Sequence, residues 1–353
     1  MPQTHTLPVA IGLDIGSTAV RCVIGLQEEG APAPSIIGVG VAPTSGVRKG
    51  VVVDVEDTVS AITAAIDEAE RISGITVNHA TIGVNGGHLL TVASHGIIAV
   101  GGSREITPAD VARAEEAAAV MQLPPNREIL QIFPVNYIVD GQEHVKDPVG
   151  MSGMRLEVDS RLVTGSTPFL KNLARSVFQG GVSIDSQVGM PLASAQIAAS
   201  KRLRELGCLV VDIGSSTTGI AVFEEGELMH MAVLPVGSAH ITNDIAIGLR
   251  TDIDTAEKIK IEHVNAGATI KDNKKTVKVK ELSGEIINPS IDEINEIAQA
   301  RLEEIFELVD RELRKIKREG MLPGGVLLCG GGANLAGVEE LAKKSLRLPA
   351  RIT

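Results

Sequence analysis

The sequence predicts an α/β protein with two similar halves, each built on a mixed sheet with helices on its faces. Two main observations lead to this fold class. An apolar run ending in Asp-Ile-Gly-Ser occurs at Asp14 and again at Asp212, 198 positions later. Short apolar strands alternate with amphipathic helices, as in layered α/β domains. A chain of 353 residues is also long enough for two or more domains with their own cores.

Composition narrows the classes of function. The net charge of −11 argues against nucleic acid as a main partner, because phosphate contacts need clustered Lys and Arg. The three cysteines include no C-x-x-C pair, so we expect reduced thiols rather than a disulfide framework or a zinc site. We also expect neither a signal peptide nor a membrane-spanning helix, because no basic segment precedes an apolar run and no long apolar stretch occurs.

Each repeated motif is predicted to form a β-hairpin whose turn faces an anion. Glycine lets the backbone approach closely, and hydroxyl side chains add hydrogen-bond donors. Asp14 and Asp212 each end a strand, where a carboxylate can hold a hydrated Mg²⁺ that neutralises a triphosphate. The alternative is two ordinary turns, since glycine and serine are common there. The repeated Asp favours the anion site, because a duplicated turn does not need it.

The first half is predicted to hold a hairpin over 11–23, strands at 35–41, 51–55 and 80–84, and one amphipathic helix. We expect this helix to be capped by Asp57 and to end near Gly74. From residue 85 to 162 the pattern changes to a small inserted α+β subdomain. It contains an alanine-rich helix over 108–121 with Thr107 as its N-cap, then a strand, a turn and a second strand over 128–141.

The chain then returns to the first sheet, and a helix running from 190 to about 206 is expected to connect the halves. In the second half, helices are expected over 239–249 and around Glu257 and Lys260. The latter two share a helix face, so a solvated ion pair and a functional role are equally good interpretations. The lysine-rich segment 272–280 is expected to be an edge strand that lysine protects from pairing.

The longest helix is predicted to begin at a capping box at Ser290 and to bury one apolar stripe. Arg301, Glu303 and Glu304 lie off that stripe, and a solvated helix face is the simplest interpretation of these charges. After this helix, a buried strand runs into three glycines followed by a helix, which can present backbone N–H groups to an anion. This third signal is weak by itself but strong beside the two hairpins.

The two turns and the late triple glycine, in this order, resemble the nucleotide site of the actin, sugar kinase and Hsp70 superfamily. Further segments resemble FtsA, the actin-like family of bacterial cell-division proteins. These segments are 137–141, 148–153, 155–157, 191–195, 241–246, 256–260 and 346–352. The resemblance covers the chain from about residue 11, and Pro-Val-Gly-Met-Ser-Gly at 148–153 is specific to that family among actin-like proteins.

The resemblance implies two duplicated RNase H-like domains around a nucleotide cleft, with the α+β subdomain inserted in the first. The implied bounds are 1–84 with 163–195 for the first core, 85–162 for the insert, 196–237 with 306–353 for the second core, and 238–305 for its outer subdomain. The implied cofactors are ATP and Mg²⁺, with Asp14 and Asp212 holding the metal through water. The implied nucleotide-binding residues are Asp14, Gly16, Ser17, Thr18, Asp212, Gly214, Ser215, Ser216, Thr217, Gly237, Glu257, Lys260, Gly331, Gly332 and Ala333.

The resemblance also implies partners. The outer subdomain would bind the C-terminal tail of FtsZ, with Arg301 and Glu304 at that contact. Other division proteins would bind the insert, and copies of the chain would join head to tail in filaments. Family members continue past the last strand with a helix, a linker and an amphipathic membrane anchor, so we expect this chain to be truncated. The full protein is expected at the cytoplasmic face of the inner membrane at the division site, and this truncated chain is expected to be soluble.

Two alternatives remain. A sugar kinase needs an Asp base in a polar pocket, and Asp185 has no polar cluster around it in the sequence, so we expect a scaffold with at most slow ATPase activity. An actin-like pilus-assembly scaffold shares the hairpins and is the closer alternative.

Overall fold

The computed structural model describes residues 8–28, 30–31, 33–102, 105–120, 123–267 and 275–353. The elements up to the middle of the chain are β1 Val9–Ile15, β2 Ala19–Leu26, β3 Ser35–Pro43, β4 Val47–Arg48, β5 Val51–Val52, α1 Val55–Ser73, β6 His79–Val84, β7 Leu90–Ala99, α2 Pro108–Ala119, β8 Arg127–Val139, β9 Gln142–Val145, β10 Arg155–Ser166, α3 Thr167–Gln179, β11 Ser183–Gly189 and α4 Met190–Ala198. The remaining elements are α5 Lys201–Leu206, β12 Cys208–Ile213, β13 Thr218–Glu224, β14 Glu227–Leu234, α6 Ser238–Gly248, α7 Ile253–His263, β15 Val279–Lys280, β16 Ile286–Ile287, α8 Ile291–Lys315, β17 Val326–Cys329, a 3₁₀ turn Gly331–Asn334, α9 Val338–Leu346 and β18 Ala350–Ile352.

The chain divides into two compact units. The first comprises Met1–Leu89, Gln122–Gln131 and Thr164–Ala193, and the second comprises Leu90–Met121, Ile132–Val163 and Ser194–Thr353. Most of the segment between β6 and α3 is therefore counted with the second unit.

The first unit is organised around a five-stranded mixed sheet in the order β11-β6-β1-β2-β3. Helix α1 packs closely on β3, because a Cβ at Gly40 would lie 1.8 Å from the Ala65 carbonyl oxygen. Asp54 caps α1 by accepting the Asp57 N–H at 3.1 Å, and Gly74 ends the helix with a φ of 71°. The prediction of Asp57 as the cap was wrong, because its carboxylate accepts hydrogen bonds from Thr44 and Gly46 instead.

Most of the second unit's strands belong to one sheet, in the order β18-β17-β12-β13-β14-β7-β10-β8-β9. Its main core packs α6, α7, α8 and α9 against this sheet, with Phe306 of α8 fully buried. A smaller core lies under α2, where Ala114 and Ala118 meet Leu156 and Val158 of β10. The predicted N-cap at Thr107 and the predicted capping box at Ser290 are both present, and Thr107 forms a capping box as well, so local capping fixes where α2 and α8 begin.

Some predicted elements differ from the structure. The connector is two helices, α4 and α5, because Ser200 is extended and starts a new helix. Strand β8 is continuous, and its turn falls at Asp140 and Gly141, before β9. The predicted strand over 51–55 ends at Val52 because Asp54 begins the capping of α1. The lysine-rich strand is short, at β15, and its predicted start at Asp272 lies outside the described residues, as does Met121 at the predicted end of α2.

Candidate functional site

The first repeated motif forms the predicted hairpin between β1 and β2. The Gly16 N–H donates to the Ala19 carbonyl at 3.1 Å and closes the turn around Ser17 and Thr18. In the register of the two strands, Asp14 lies opposite Arg21. The Arg21 guanidinium reaches the Asp14 carboxylate at 3.4 Å, so the first carboxylate has a cationic neighbour.

Other parts of the first unit hold this turn from outside. The Gly50 N–H donates to Ser17 Oγ at 3.3 Å, and the Thr44 N–H donates to the Thr18 carbonyl at 3.1 Å. The Thr18 side chain itself is exposed. The turn therefore keeps hydroxyls at its tip while its backbone is fixed by the segment between β3 and α1.

The second motif forms the same turn between β12 and β13. The Gly214 N–H donates to the Thr217 carbonyl at 2.9 Å, with Ser215 and Ser216 half-buried at the tip and Thr217 buried. The backbone pattern of the first turn is thus repeated at the equivalent positions.

The surroundings of Asp212 differ from those of Asp14. Its neighbour across the hairpin is Gly219, which has no side chain. The Ser194 hydroxyl of α4 donates instead to Asp212 Oδ2 at 2.5 Å. The second carboxylate is therefore held by a neutral hydroxyl rather than by an arginine.

Gly237 lies directly behind the second turn. A Cβ at this position would lie 2.6 Å from the carbonyl oxygens of both Gly214 and Ser215, so only glycine fits. The N–H groups of Ser238 and Ala239, at the start of α6, donate to those same two carbonyls at 2.9 and 2.8 Å. The N-terminus of α6 thus fixes the shape of the turn.

The triple glycine after β17 closes on the same region of the second unit. Gly330 has a φ of 82°, and a Cβ there would lie 2.3 Å from Asp212 Oδ1. A Cβ at Gly332 would lie 2.4 Å from Ile213 Cγ2, whereas Gly331 has open space around it. The glycines lead into a 3₁₀ turn that buries Ala333, and the α-helix predicted to follow them directly begins only at Val338.

A shallow depression of about 230 Å³ lies beside Asp212 and is bordered by Ser194, Ile197, Cys329 and Gly330. Cys329 pairs with Asp212 in the register of β12 and β17. Burial, and then the negative charge of Asp212, raise the pKa of the Cys329 thiol to about 12. The thiol therefore stays protonated and adds no negative charge beside Asp212.

Glu257 and Lys260 form the ion pair that their spacing suggested, at 2.7 Å. The pair is not fully solvated, because the Lys260 side chain is buried. The Lys260 ammonium is buried, and it also donates to Thr242 Oγ1 at 2.9 Å and to the Ser238 carbonyl at 3.4 Å. Thr242 in turn donates to Glu257 at 2.5 Å. Burial opposes the charge on Glu257, but the hydrogen bonds from Lys260 and Thr242 outweigh it and hold its pKa below the ordinary value. These contacts tie α7 to the N-terminal part of α6.

Arg301 and Glu304 lie on α8 and contact each other at 2.5 Å. Arg301 also makes two hydrogen bonds to the Asp244 carboxylate of α6, at 2.6 and 3.0 Å. These charges are therefore not a purely solvated face, because the half-buried Arg301 joins α6 to α8. A partner that binds Arg301 has to approach a guanidinium already engaged by two carboxylates.

The residues fit a bound nucleoside triphosphate in their chemistry. Both turns combine a close-approach glycine, two exposed or half-buried hydroxyl residues and one carboxylate, which is the donor set for phosphate and hydrated Mg²⁺. No group of three or more His, Cys, Asp or Glu residues that could hold a metal occurs within the described part of the chain. Mg²⁺ usually keeps several water ligands and needs only one or two carboxylates, so one carboxylate at a turn fits a hydrated ion.

The predicted site residues fall into separate groups. Asp14, Gly16, Ser17 and Thr18 lie together in the first unit. Asp212, the second turn, Gly237 and the triple glycine lie together in the second, and Glu257 and Lys260 join them through α6. Sequence reasoning missed Arg21 and Ser194. Arg21 could have been found from hairpin register, whereas nothing in the sequence near Ser194 indicates its contact with Asp212.

Two family models match the chain. The model described as cell division protein FtsA matches residues 209–353, and the SHS2 domain inserted in FtsA matches residues 86–164. The FtsA protein of Pseudomonas aeruginosa is 37% identical over 353 residues, which cover 100% of this chain and 84% of the relative. The FtsA protein of Bacillus subtilis is 38% identical over 347 residues, covering 97% and 78%.

Solved structures with a similar fold have low sequence identity. A PilM–PilN type IV pilus biogenesis complex aligns with a TM-score of 0.66 at 16% identity, covering 98% of this chain and 88% of that one. MreB5 of Spiroplasma citri bound to ADP aligns with a TM-score of 0.59 at 15% identity, covering 100% and 92%. These likenesses confirm the predicted actin-like fold with two domains. Among the described helices, none combines the length and apolarity needed to cross a membrane.

Proposed function

Since the chain belongs to the FtsA family of cell division proteins, we propose that it is an ATP-binding, actin-like scaffold that polymerises and tethers FtsZ filaments to the cytoplasmic membrane. The observation that carries the nucleotide part is the repeated turn. Gly16 and Gly214 close identical backbone hydrogen bonds, and each turn has a carboxylate at the preceding strand end. Structures of MreB5 with ADP and with AMPPNP support nucleotide binding on this fold.

In this proposal the first turn binds phosphate through Gly16, Ser17 and Thr18, and the second through Gly214, Ser215, Ser216 and Thr217. Gly237, Gly331, Gly332 and Ala333 line the nucleotide, and Glu257 and Lys260 lie by its adenosine. Asp14 and Asp212 hold Mg²⁺ through water. When bound, the metal offsets the charge of the phosphates, and the protein residues provide close-packed donors around them.

The nucleotide is proposed to act as a structural ligand rather than as a substrate turned over rapidly. The residues of the two turns are hydroxyls, glycines and two carboxylates, and each carboxylate is already engaged, Asp14 by Arg21 and Asp212 by Ser194. Steady-state phosphate release should therefore stay far below the enzyme median of about 10 s⁻¹. Turnover at or above that median would favour an ATPase or kinase.

Thermal unfolding with MgATP tests the nucleotide part. A ligand at about 100 times its Kd stabilises the folded protein by about 2.7 kcal/mol, so a clear rise in Tm is expected. ATP with EDTA and MgCl₂ alone serve as matched controls. An unchanged Tm with saturating MgATP would contradict the proposal.

The partner surface is proposed to be the outer part of the second unit, around α6, α7 and the N-terminal half of α8. Arg301 and Glu304 are its proposed contacts with the FtsZ tail, and Arg301 is already positioned by Asp244. Binding of an FtsZ tail peptide to wild type and to Glu304→Gln tests this surface. Glu307→Gln, one helical turn further along α8, is the matched control because, among the described residues, Glu307 pairs with Arg311 of its own helix.

A several-fold weaker binding of the FtsZ peptide in Glu304→Gln, with wild-type binding in Glu307→Gln, would support this surface as the contact. Capture of a pilus inner-membrane partner instead of the FtsZ peptide would favour the pilus-scaffold alternative.

Polymerisation and membrane tethering belong together in the proposal. One amphipathic anchor binds a membrane weakly and reversibly. A filament that links many anchors gains avidity of roughly 10²–10⁴ without any new contact, which would let it hold FtsZ filaments at the cytoplasmic face of the inner membrane at the division site. Other division proteins are proposed to bind the inserted domain. Co-sedimentation of FtsZ with anionic vesicles, in the presence of a chain that carries the family's C-terminal amphipathic segment, tests the tether. FtsZ should pellet with the vesicles, and FtsZ that stays in the supernatant would contradict the tether.

A further inference from the structure

The two repeated carboxylates have different charged surroundings. Asp14 lies opposite Arg21, whose guanidinium is 3.4 Å from its carboxylate. Asp212 lies opposite Gly219, and the Ser194 hydroxyl donates to it at 2.5 Å. The guanidinium beside Asp14 is a cation that partly offsets a carboxylate's charge, whereas the hydroxyl that donates to Asp212 is neutral.

Asp212 is also held on its other oxygen. The Oδ2 atom accepts the Ser194 hydrogen bond, and the Oδ1 atom lies so close to Gly330 that a Cβ there would come within 2.3 Å of it. The hydrogen bond from α4 orients the carboxylate, and the close approach of Gly330 at the end of β17 limits the space around its other oxygen. Ser194 and Asp212 both border the depression of about 230 Å³, which is large enough for a cation with several waters.

The charge difference matters most for a divalent ion. Mg²⁺ dehydrates reluctantly and is held by one or two carboxylates plus waters and phosphate oxygens. A carboxylate that shares its charge with an arginine attracts such an ion less than one that does not. Asp212 is the carboxylate without an arginine, so its orientation should determine how tightly the hydrated ion binds. Residues that hydrogen-bond to a metal ligand are known to tune metal affinity in this way.

We propose that Ser194 is a positioning residue for Mg²⁺ and that Asp212, rather than Asp14, provides most of the protein's attraction for the metal. This inference rests on the proposed nucleotide function. It makes that function more specific, because it assigns a different ligand to each of the two repeated turns. The second turn holds the metal, and the first turn, with Arg21 beside Gly16, holds phosphate.

The test is a Mg²⁺ titration of ATP binding, with fluorescent ATP as the probe, for the wild type and three variants. Ser194→Ala should raise the Mg²⁺ midpoint three- to tenfold while leaving ATP affinity in EDTA unchanged. Ser194→Thr keeps a hydroxyl and should restore the wild-type midpoint. Ser200→Ala is the matched control, because this nearby serine is exposed and makes no side-chain capping bond.

A Ser194→Ala midpoint equal to wild type would overturn the inference. Loss of ATP affinity by the same factor with EDTA and with Mg²⁺ would also overturn it, because that result indicates a structural role only. A Tm measurement without ligand identifies a folding defect, and Ser194→Cys, which replaces the hydroxyl with a weakly donating thiol, then gives the decisive midpoint. A wild type that binds no ATP under any condition would defeat the proposed function itself, which distinguishes the two failures.

Discussion

The turn at Asp14 and the turn at Asp212 share one sequence pattern and one backbone hydrogen bond, yet they are held by different neighbours. The first is braced by Gly50 and Thr44 and keeps Thr18 exposed. The second lies on the N-terminus of α6 and against Gly330, and its Thr217 is buried. Repetition of the motif therefore fixes the shape of the turn, whereas its neighbours determine its charge and its tolerance of substitution.

The largest difference should come from glycine substitution in the second region. Gly330→Ala places a Cβ 2.3 Å from Asp212 Oδ1 at a positive φ, so we expect a loss of about 2–4 kcal/mol in the free energy of unfolding. Gly331→Ala meets nothing within 4 Å and should lose less than about 1 kcal/mol. Urea unfolding of both variants measures this. Equal losses would show that Asp212 is not confined as described.

The next effect separates the two turns by metal dependence. Asp212→Asn should weaken ATP binding about tenfold, or about 1.4 kcal/mol, in Mg²⁺ but not in EDTA. Arg21→Gln should weaken binding by a similar factor in both, because it removes a cation beside the first turn whether or not metal is present. Calorimetric titration with and without Mg²⁺ provides the comparison. Identical profiles for the two variants would remove the distinction between the turns.

These differences show what the sequence could and could not predict. Both hairpins, the Ser290 capping box and the α8 stripe follow from local patterns, and the structure has them. Of the contacts that distinguish the turns, Arg21 with Asp14 follows from hairpin register, whereas Ser194 with Asp212 does not, since Ser194 is in a preceding helix. The same holds for Arg301, which sequence spacing places off the core stripe but whose partner Asp244 is 57 positions away. The glycines at 330–332 correctly predicted that the backbone packs closely at the end of β17. They did not predict the 3₁₀ turn that comes before α9.

A smaller effect is expected where α7 meets α6 in the second unit. Thr242→Val removes the donor to Glu257 and an acceptor of the buried Lys260, so we expect a loss of about 1–3 kcal/mol in the free energy of unfolding. Thr255→Val is the control, because in the part of the chain that the structure describes its hydroxyl donates to the exposed Asp252 at the helix cap. Equal small losses in both variants would show that the Thr242 contacts contribute little.

The same contacts give a pH dependence. The folded-state pKa of Glu257 lies below its unfolded value, so its contribution to stability is present above the unfolded value and is lost as pH falls through the folded one. The wild type should therefore lose more stability on acidification than Glu257→Gln does. Unfolding midpoints measured from neutral pH to well below the ordinary glutamate pKa of 4.5 check the sign. A variant that loses more stability than wild type would reverse the assignment.

The smallest expected effect is on the rate at which cysteines react with a thiol reagent. Cys22 lies in the sheet that carries Asp14, and Cys329 lies in the sheet that carries Asp212. Cys22 is fully buried with a pKa raised to about 11, and Cys329 is partly accessible with a pKa raised to about 12 by burial and Asp212. A thiol reagent at pH 8 should therefore label Cys329 slowly, and Asp212→Asn should speed labelling a few-fold because thiolate reacts. Asp14→Asn should leave the rate unchanged. A rate insensitive to Asp212→Asn would place that charge further from the thiol.

Hydrogen exchange of the backbone amides at residues 14–18 and 212–217, with and without MgATP, tests the central claim most directly. If both turns bind the triphosphate, exchange should slow at both segments and return to its starting rate when EDTA and an ATP-consuming enzyme remove the ligand. Unchanged exchange at both segments under saturating MgATP would contradict the account.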